Sequence, residues 1–383
     1  MCRSNTRRNS AYNIYQERNG RSSSGAQEVH RPGSSLRSLG LAIHGADVWR
    51  DGKPLNVIDF SSNVNPLAPP RGLLPYLRKI VGLSTHYPEA DAISARAALA
   101  SFHGLSEKNI VVGNGANELI HLISSAVPKG KALILAPTYS EYEQATIGHG
   151  LKPYFYVSKH PFDVDLSDVK IEPGTSLIFL CNPNNPTGKV VKRDAIVDFQ
   201  RRAEAAGATL VVDEVHMDLC DQEEESVIKE GLENTVILRS LTKLLGVPGL
   251  RLGYSISSPE WASKIDAVRP AWNVNVLSIE VAKNWLDSNF IQESKTYASR
   301  ERTYLSGSLA RLGFEVIPSH ADYLLIKIRG MTSTELKEKL LSKGLLIRDA
   351  STIRGLNNQY VRIGALSHRK NAMLMRAIKE LLA

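Results

Sequence analysis

From about Leu41 onward the chain alternates short aliphatic runs with stretches of helical period. "KALILAPTYSEY" (131–142) is apolar until Pro137 breaks it, and "TSLIFLCNPNNPTG" (175–188) ends in a turn of Pro, Asn and Gly. "GATLVVDEVHMDL" (207–219) runs into acidic residues, "NTVILRSLTK" (234–243) into Ser, Thr and Lys, and "GLRLGYSIS" (249–257) is a further run. Between them "RDAIVDFQRRAEAAG" (193–207), apolar at Ile196, Val197 and Phe199 and stopped by Gly207, predicts a helix. Continuous aliphatic strands separated by helices predict an α/β fold with a mostly parallel sheet covered on both faces.

Ligands of such sheets bind outside the carboxyl ends of the strands. Tyr139, Asn185, Asp213, Ser240 and Lys243 each fall at or just past the end of a run. Taken singly, Asp213 reads as a cap, Asn185 as a turn residue and Tyr139 as core. Taken together they predict one pocket. "VVGNGANELIHLISSAVP" (111–128) adds a strand, a Gly-flanked turn and a helix with Leu119, Ile120 and Ile123 on its apolar face. The helix start at Gly115, Ala116 and Asn117 offers free backbone N–H groups to an anion such as phosphate. Arg251 adds a fixed cation, Ser240 and Thr242 add hydroxyls, and the glycines of "GVPGLRLG" (246–253) let the backbone turn around them.

Charge and composition remove other classes. The net charge of +8 is uneven: residues 1–38 hold seven Arg against two Glu, +5, which leaves +3 over the other 345 residues. The Ser-, Arg- and Asn-rich leader, about 1–40, lacks hydrophobic periodicity and is expected to be disordered, and the nearly neutral body is no nucleic-acid binder by charge. No apolar run approaches the roughly 18–20 residues of a membrane span, and nothing reads as the core of a signal peptide. Cys2, Cys181 and Cys220 have no metal-ligand spacing, so no metal site is expected and a reducing cytoplasm is the simplest location.

Lys243 stands in an apolar run, where a bare ammonium costs several kcal/mol to bury or goes neutral. A lysine at a strand end, a phosphate cradle and a carboxylate on the neighbouring strand together suit pyridoxal 5′-phosphate. Lys243 would carry the cofactor covalently, and Asp213 would keep its ring nitrogen protonated so that the ring accepts electrons. Asn185 would meet the ring oxygen and Tyr139 would stack on the ring.

"NPNNPTG" (182–188), "DEVH" (213–216) and "SLTKLLGVPGLRLGY" (240–254) resemble the signatures of fold-type I, aspartate-aminotransferase-like pyridoxal-phosphate enzymes. The resemblance covers about 41–383. It implies a large domain around a seven-stranded sheet, about 76–270, and a small domain made of about 41–75 and 271–383. It also implies a homodimer with active sites at the interface, where Tyr87 of "THYPEAD" would reach the cofactor phosphate of the partner subunit. His216 departs from the family, many of whose members have tyrosine there; it would donate through a ring nitrogen or pack against the cofactor.

Two branches compete. "HGADVW" (44–49), "DFSSNVNPLAPP" (59–70) and "LIRDASTIRGLNNQYVRIGALSH" (346–368) are similar to threonine-phosphate decarboxylases of cobalamin synthesis. "NPNNPTG", the lysine segment and "APTYSEY" (136–142) are shared with histidinol-phosphate aminotransferases. By resemblance Arg362 is the family's substrate-anion arginine, Arg348 and His44 match positions associated with the substrate phosphate in the decarboxylases, and Asn65 and Asn185 are further substrate contacts; Arg354 reads as surface. Because histidinol phosphate has no carboxylate and needs fewer cations, the leading expectation is decarboxylation of a phosphorylated amino acid. L-Threonine O-3-phosphate would give (R)-1-amino-2-propanol O-2-phosphate and CO2; O-phosphoserine is a close variant, since one methyl group discriminates by only about 1–3 kcal/mol. Aminotransfer is the alternative, and Lys243 and Asp213 serve both. A third reading, a non-catalytic cofactor-sensing half of a regulator, would need a DNA-reading module, for which residues 1–40 are too short and aperiodic.

Overall fold

The computed structural model describes residues 44–231 and 233–382, so the leader expected at 1–40 lies outside the described residues. Seven strands form one sheet: β1 (Ile110–Asn114), β2 (Lys131–Ala136), β3 (Lys152–Val157), β4 (Thr175–Cys181), β5 (Thr209–Asp213), β6 (Thr235–Ser240) and β7 (Leu252–Ser257). Their order is β1-β7-β6-β5-β4-β2-β3. The aliphatic runs are continuous because both faces are covered. Leu177, Phe179, Val211 and Leu238 point into one core, and Ile178, Leu180, Val212 and Ile237 into the other. This is the period of two of a pleated strand, with neither side left to water.

The helices lie as the apolar spacing requires. α1 (Ile93–His103) and α3 (Arg193–Ala205) cover one face through Leu99, Ile196 and Phe199. α2 (Ala116–Ala126) and α4 (Pro259–Val268) cover the other through Leu119, Ile123 and Ile265. α3 ends before Gly207, which takes the left-handed φ of 71°.

Two features differ from the pattern-based picture. β7 runs antiparallel to both β6 and β1. Only residues 241–251 separate β6 from β7, too few for the crossover a parallel neighbour needs. β3 was not among the expected runs: "KPYFYV" mixes Lys, Pro and aromatics and is only half-buried, the character of an edge strand.

A second, antiparallel sheet follows, with order β8-β9-β11-β10: β8 (Glu315–Val316), β9 (Tyr323–Lys327), β10 (Arg348–Asp349) and β11 (Tyr360–Gly364). α5 (Ser288–Arg311), α6 (Ser333–Ser342) and α7 (His368–Leu382) pack on it around Leu305, Leu336, Ile363 and Ile378. The early segment joins this layer, since Ile58–Asp59 pairs with Leu345–Leu346 and Phe60 is buried in the same core. The protein is thus α/β, with a large, mostly parallel sheet domain and a smaller C-terminal one. Among the described residues no helix is long and apolar enough to cross a membrane, and no cluster of three or more His, Cys, Asp or Glu is placed to hold a metal ion.

Candidate active site

A cavity of about 320 Å³ opens at the carboxyl ends of β2, β4, β5 and β6. Strand direction explains its contents. Tyr139, Asn185, Asp213, Ser240 and Lys243 follow parallel strands and all line it. Arg251 arrives differently: it stands at the start of β7, and the reversal of that strand brings it to the same edge.

Lys243 lies in the single helical turn Leu241–Leu244, capped by Ser240. Its Nζ donates to the Ser62 carbonyl at 2.7 Å. Burial lowers its pKa from the ordinary 10.5 to about 8, Arg362 adds to the shift, and Asp322 opposes it. A neutral amine, the nucleophilic form, is therefore accessible near physiological pH. Asp213 ends β5 fully enclosed. Its Oδ2 accepts from the Tyr142 hydroxyl at 2.6 Å and its Oδ1 from Val215 N–H at 3.0 Å. Burial pushes its pKa up, while these two bonds and His216 pull the other way.

At one end of the cavity the start of α2 meets Arg251. Gly115 has a φ of 84°, and a Cβ there would lie 2.4 Å from Arg251 Nη2. The cradle therefore requires glycine at 115. Gly253 is equally constrained, because its Cβ would lie 2.3 Å from Ala116 N. Gly253→Ala is expected to weaken retention of a phosphate-bearing cofactor by at least tenfold, read by equilibrium dialysis, since the start of α2 must shift. Ser240 and Thr242 hydroxyls are 2.8 Å apart and complete that wall.

At the other end Arg362 Nη1 donates to Asn185 Oδ1 at 2.5 Å, and its Nη2 donates to the Ser61 carbonyl. Arg348 stands directly opposite Arg362 on the neighbouring strand, and both are buried in the cavity wall. Burial, then Arg362, lowers the Arg348 pKa to about 10, so it is still a cation at neutral pH. His44 lines the cavity too, with Nε2 2.5 Å from Glu141 Oε1.

Asn65 requires a correction as a substrate contact. Its amide donates to the Leu244 carbonyl (2.7 Å) and Ser294 Oγ (2.8 Å), its Oδ1 accepts from Leu67 N–H, and it lies outside the cavity. It braces the turn that carries Lys243. Tyr87 is likewise outside the cavity of its own chain, 84% exposed, with its ring tilted at 48° against that of Trp272, centroids 5.3 Å apart. Several participants escaped the sequence reading. Tyr142 was visible three residues after Tyr139 in "APTYSEY", but nothing local marked it as the partner of Asp213. Glu141, which also accepts from Asn117 Nδ2 at 3.1 Å, and Asn63, whose Oδ1 is buried without a bond, gave no signal.

The residues present fit pyridoxal 5′-phosphate. Asn117 Oδ1 and Thr138 Oγ1 are buried on the cavity wall with no hydrogen-bond partner, and Gly115 leaves space where any side chain would collide with Arg251. Lys243 would hold the aldehyde carbon, Asp213 the ring nitrogen, and Ser240, Thr242, Arg251 and the α2 start the phosphate. When bound, the cofactor supplies an electron sink for bonds at a substrate's α-carbon. The chain's own residues would supply the anchor, the anion-binding walls and an amine able to hold a proton.

Comparison with known proteins gives the family. Residues 56–381 match the family model described as aminotransferase class I and II. A putative threonine-phosphate decarboxylase of Caldanaerobacter subterraneus subsp. tengcongensis is 35% identical over 331 residues, 84% of this chain and 89% of that protein. A histidinol-phosphate aminotransferase of Methanosphaera stadtmanae is 31% identical over 336 residues, 85% of this chain and 90% of the relative. The crystal structure of the histidinol-phosphate aminotransferase from Clostridium acetobutylicum superposes with a TM-score of 0.79 at 29% identity, covering 84% of this chain and 98% of that one. The cofactor is pyridoxal 5′-phosphate, and the fold is that of the fold-type I enzymes that use it. The chain belongs to the class I and II aminotransferase family.

Proposed function

We propose that this protein transfers an amino group between a phosphorylated amine of the histidinol-phosphate type and a keto acid, using pyridoxal 5′-phosphate held on Lys243. The observation that carries this reading is the pair of buried arginines, Arg348 and Arg362, face to face across β10 and β11 in the wall of the Lys243 cavity. Like charges directly opposite one another destabilise a sheet. An anionic ligand between or before them offsets that cost with charge-assisted hydrogen bonds.

Counting those cations against one substrate favoured decarboxylation, because histidinol phosphate bears no carboxylate. That count omits the second half of an aminotransfer. The same cavity must also take a dicarboxylic partner such as 2-oxoglutarate, which needs cations at both ends. Histidinol-phosphate aminotransferases also recur among the similar proteins and structures. Lys243, its pKa lowered to about 8, moves the proton from the α-carbon in this reading. Tyr87 of a second copy completes the phosphate site of a homodimer, an arrangement its exposure permits.

A second reading, decarboxylation of L-threonine O-3-phosphate, is favoured by the 35%-identical decarboxylase relative and by the segments 59–70 and 346–368. The holoenzyme separates the two. With L-histidinol phosphate and 2-oxoglutarate, glutamate is expected to form only when both are present. With L-threonine O-3-phosphate, CO2 release that needs no keto acid would replace aminotransfer by decarboxylation.

A further inference from the structure

One group in the cavity wall and one behind it lack hydrogen-bond partners and face each other. Asp322, the residue before β9, is wholly buried, and neither of its carboxylate oxygens is hydrogen-bonded. His216 is 5% exposed, and its Nδ1 is buried and unbonded. That nitrogen lies 3.3 Å from Asp322 Oδ1, within reach of a bond though not yet aligned for one. A buried carboxylate with nothing to accept from is costly, and so is an orphaned ring nitrogen. One proton between them relieves both. The Tyr323 ring meets the imidazole edge-on at 5.0 Å and holds its plane.

We propose that Asp322 is a positioning residue, accepting the Nδ1 proton of His216 and so fixing the imidazole with Nε2 toward the cavity as a second proton-holding group beside Lys243. The partner of one ring nitrogen decides the state of the other. With Nδ1–H given to Asp322, Nε2 keeps its lone pair toward the cavity, where it can accept a proton and give it back, so no net proton is consumed. His216 lines the cavity with Lys243 and Asp213, and the buried face of its ring is the Nδ1 side. Asp322 opposes the lowering of the Lys243 pKa by burial, and His216 opposes the raising of that of Asp213, so the dyad is electrostatically coupled to both groups. The tyrosine that many family members have at this position needs no acid behind it, because a phenol has one polar atom. An imidazole has two, and the second requires a partner.

The test uses protein labelled with 15N at histidine, first without cofactor, with His216→Phe assigning the signals. Wild type is expected to show the Nδ1–H tautomer of His216 with a slowly exchanging proton. Asp322→Leu, which fills the volume without an acceptor, should move the proton to Nε2. Asp322→Asn, which keeps an acceptor oxygen, should retain the tautomer. In the holoenzyme Asp322→Leu should lower kcat about 10–100-fold, within the range of a positioned acid–base group, with KM changed less than about threefold. An Nε2–H tautomer in wild type overturns the proposal, as does Asp322→Leu with unchanged tautomer and kcat. Should that variant not fold, the wild-type and Asp322→Asn spectra still decide. The kinetic arm rests on the proposed aminotransfer; a wild-type holoenzyme inactive on every substrate would remove that function and leave the tautomer result standing.

Discussion

Lys243→Ala is expected to abolish turnover, by at least about 10⁴-fold, and to release the cofactor's covalent hold. Two proposed roles disappear with one amine: the anchor and the group that carries the proton, which alone contributes up to about 10⁴. Near-visible absorbance of the holoenzyme should change to that of unlinked cofactor, while thermal stability stays close to wild type, because an ammonium enclosed at 243 stabilises little. The sign of the pH dependence follows from burial. Since enclosure lowers the lysine to about 8 from 10.5, the neutral amine predominates above pH 8 in the folded protein. Attachment of added cofactor to cofactor-free protein should therefore accelerate with pH and level off just above that value. A midpoint near 10.5 would mean that the amine is solvated rather than enclosed.

Asp213→Asn is expected to cost about 10²–10³-fold in kcat, the scale of losing one preorganised electrostatic group, with KM little affected. The amide keeps the shape but not the charge that would hold the ring nitrogen protonated. It should also cost stability. Asp213 accepts two bonds, from the Tyr142 hydroxyl and from Val215 N–H. Asparagine has one acceptor oxygen; with that oxygen on Val215 N–H, its NH2 can donate to the Tyr142 hydroxyl only if that hydroxyl gives up its own bond to residue 213, a loss worth about 1–3 kcal/mol. Steady-state kinetics and thermal unfolding on the same preparations separate the two effects, and Asp213→Glu, which restores charge but not position, should recover only part of the rate.

These residues were accessible to sequence reasoning for a physical reason. In a parallel sheet the chain must leave each strand at the same edge, so polar residues just beyond aliphatic runs are brought together by topology alone. Tyr139, Asn185, Asp213, Ser240 and Lys243 were legible in that way. Arg251 was legible as chemistry but not as geometry, because the reversal of β7 depends on how short the 241–251 link is. The edge strand β3 was hidden by its mixed polarity. What the chain does not advertise locally is partnership between distant segments: Tyr142 with Asp213, Glu141 with His44, and Asp322 with His216. Asn65 shows the opposite failure. Its neighbours in "DFSSNVNPLAPP" reach the cavity, but the turn points its amide at the Lys243 segment instead. Motif position indicated the region and not the direction of the side chain.

On the proposed function one amine, that of Lys243, bears the cofactor. Treating the holoenzyme with borohydride, digesting it and weighing the peptides tests this directly. A single peptide containing Lys243 should carry the mass of one pyridoxyl phosphate. Label on a different lysine, or none on any, would remove Lys243 as the cofactor's anchor.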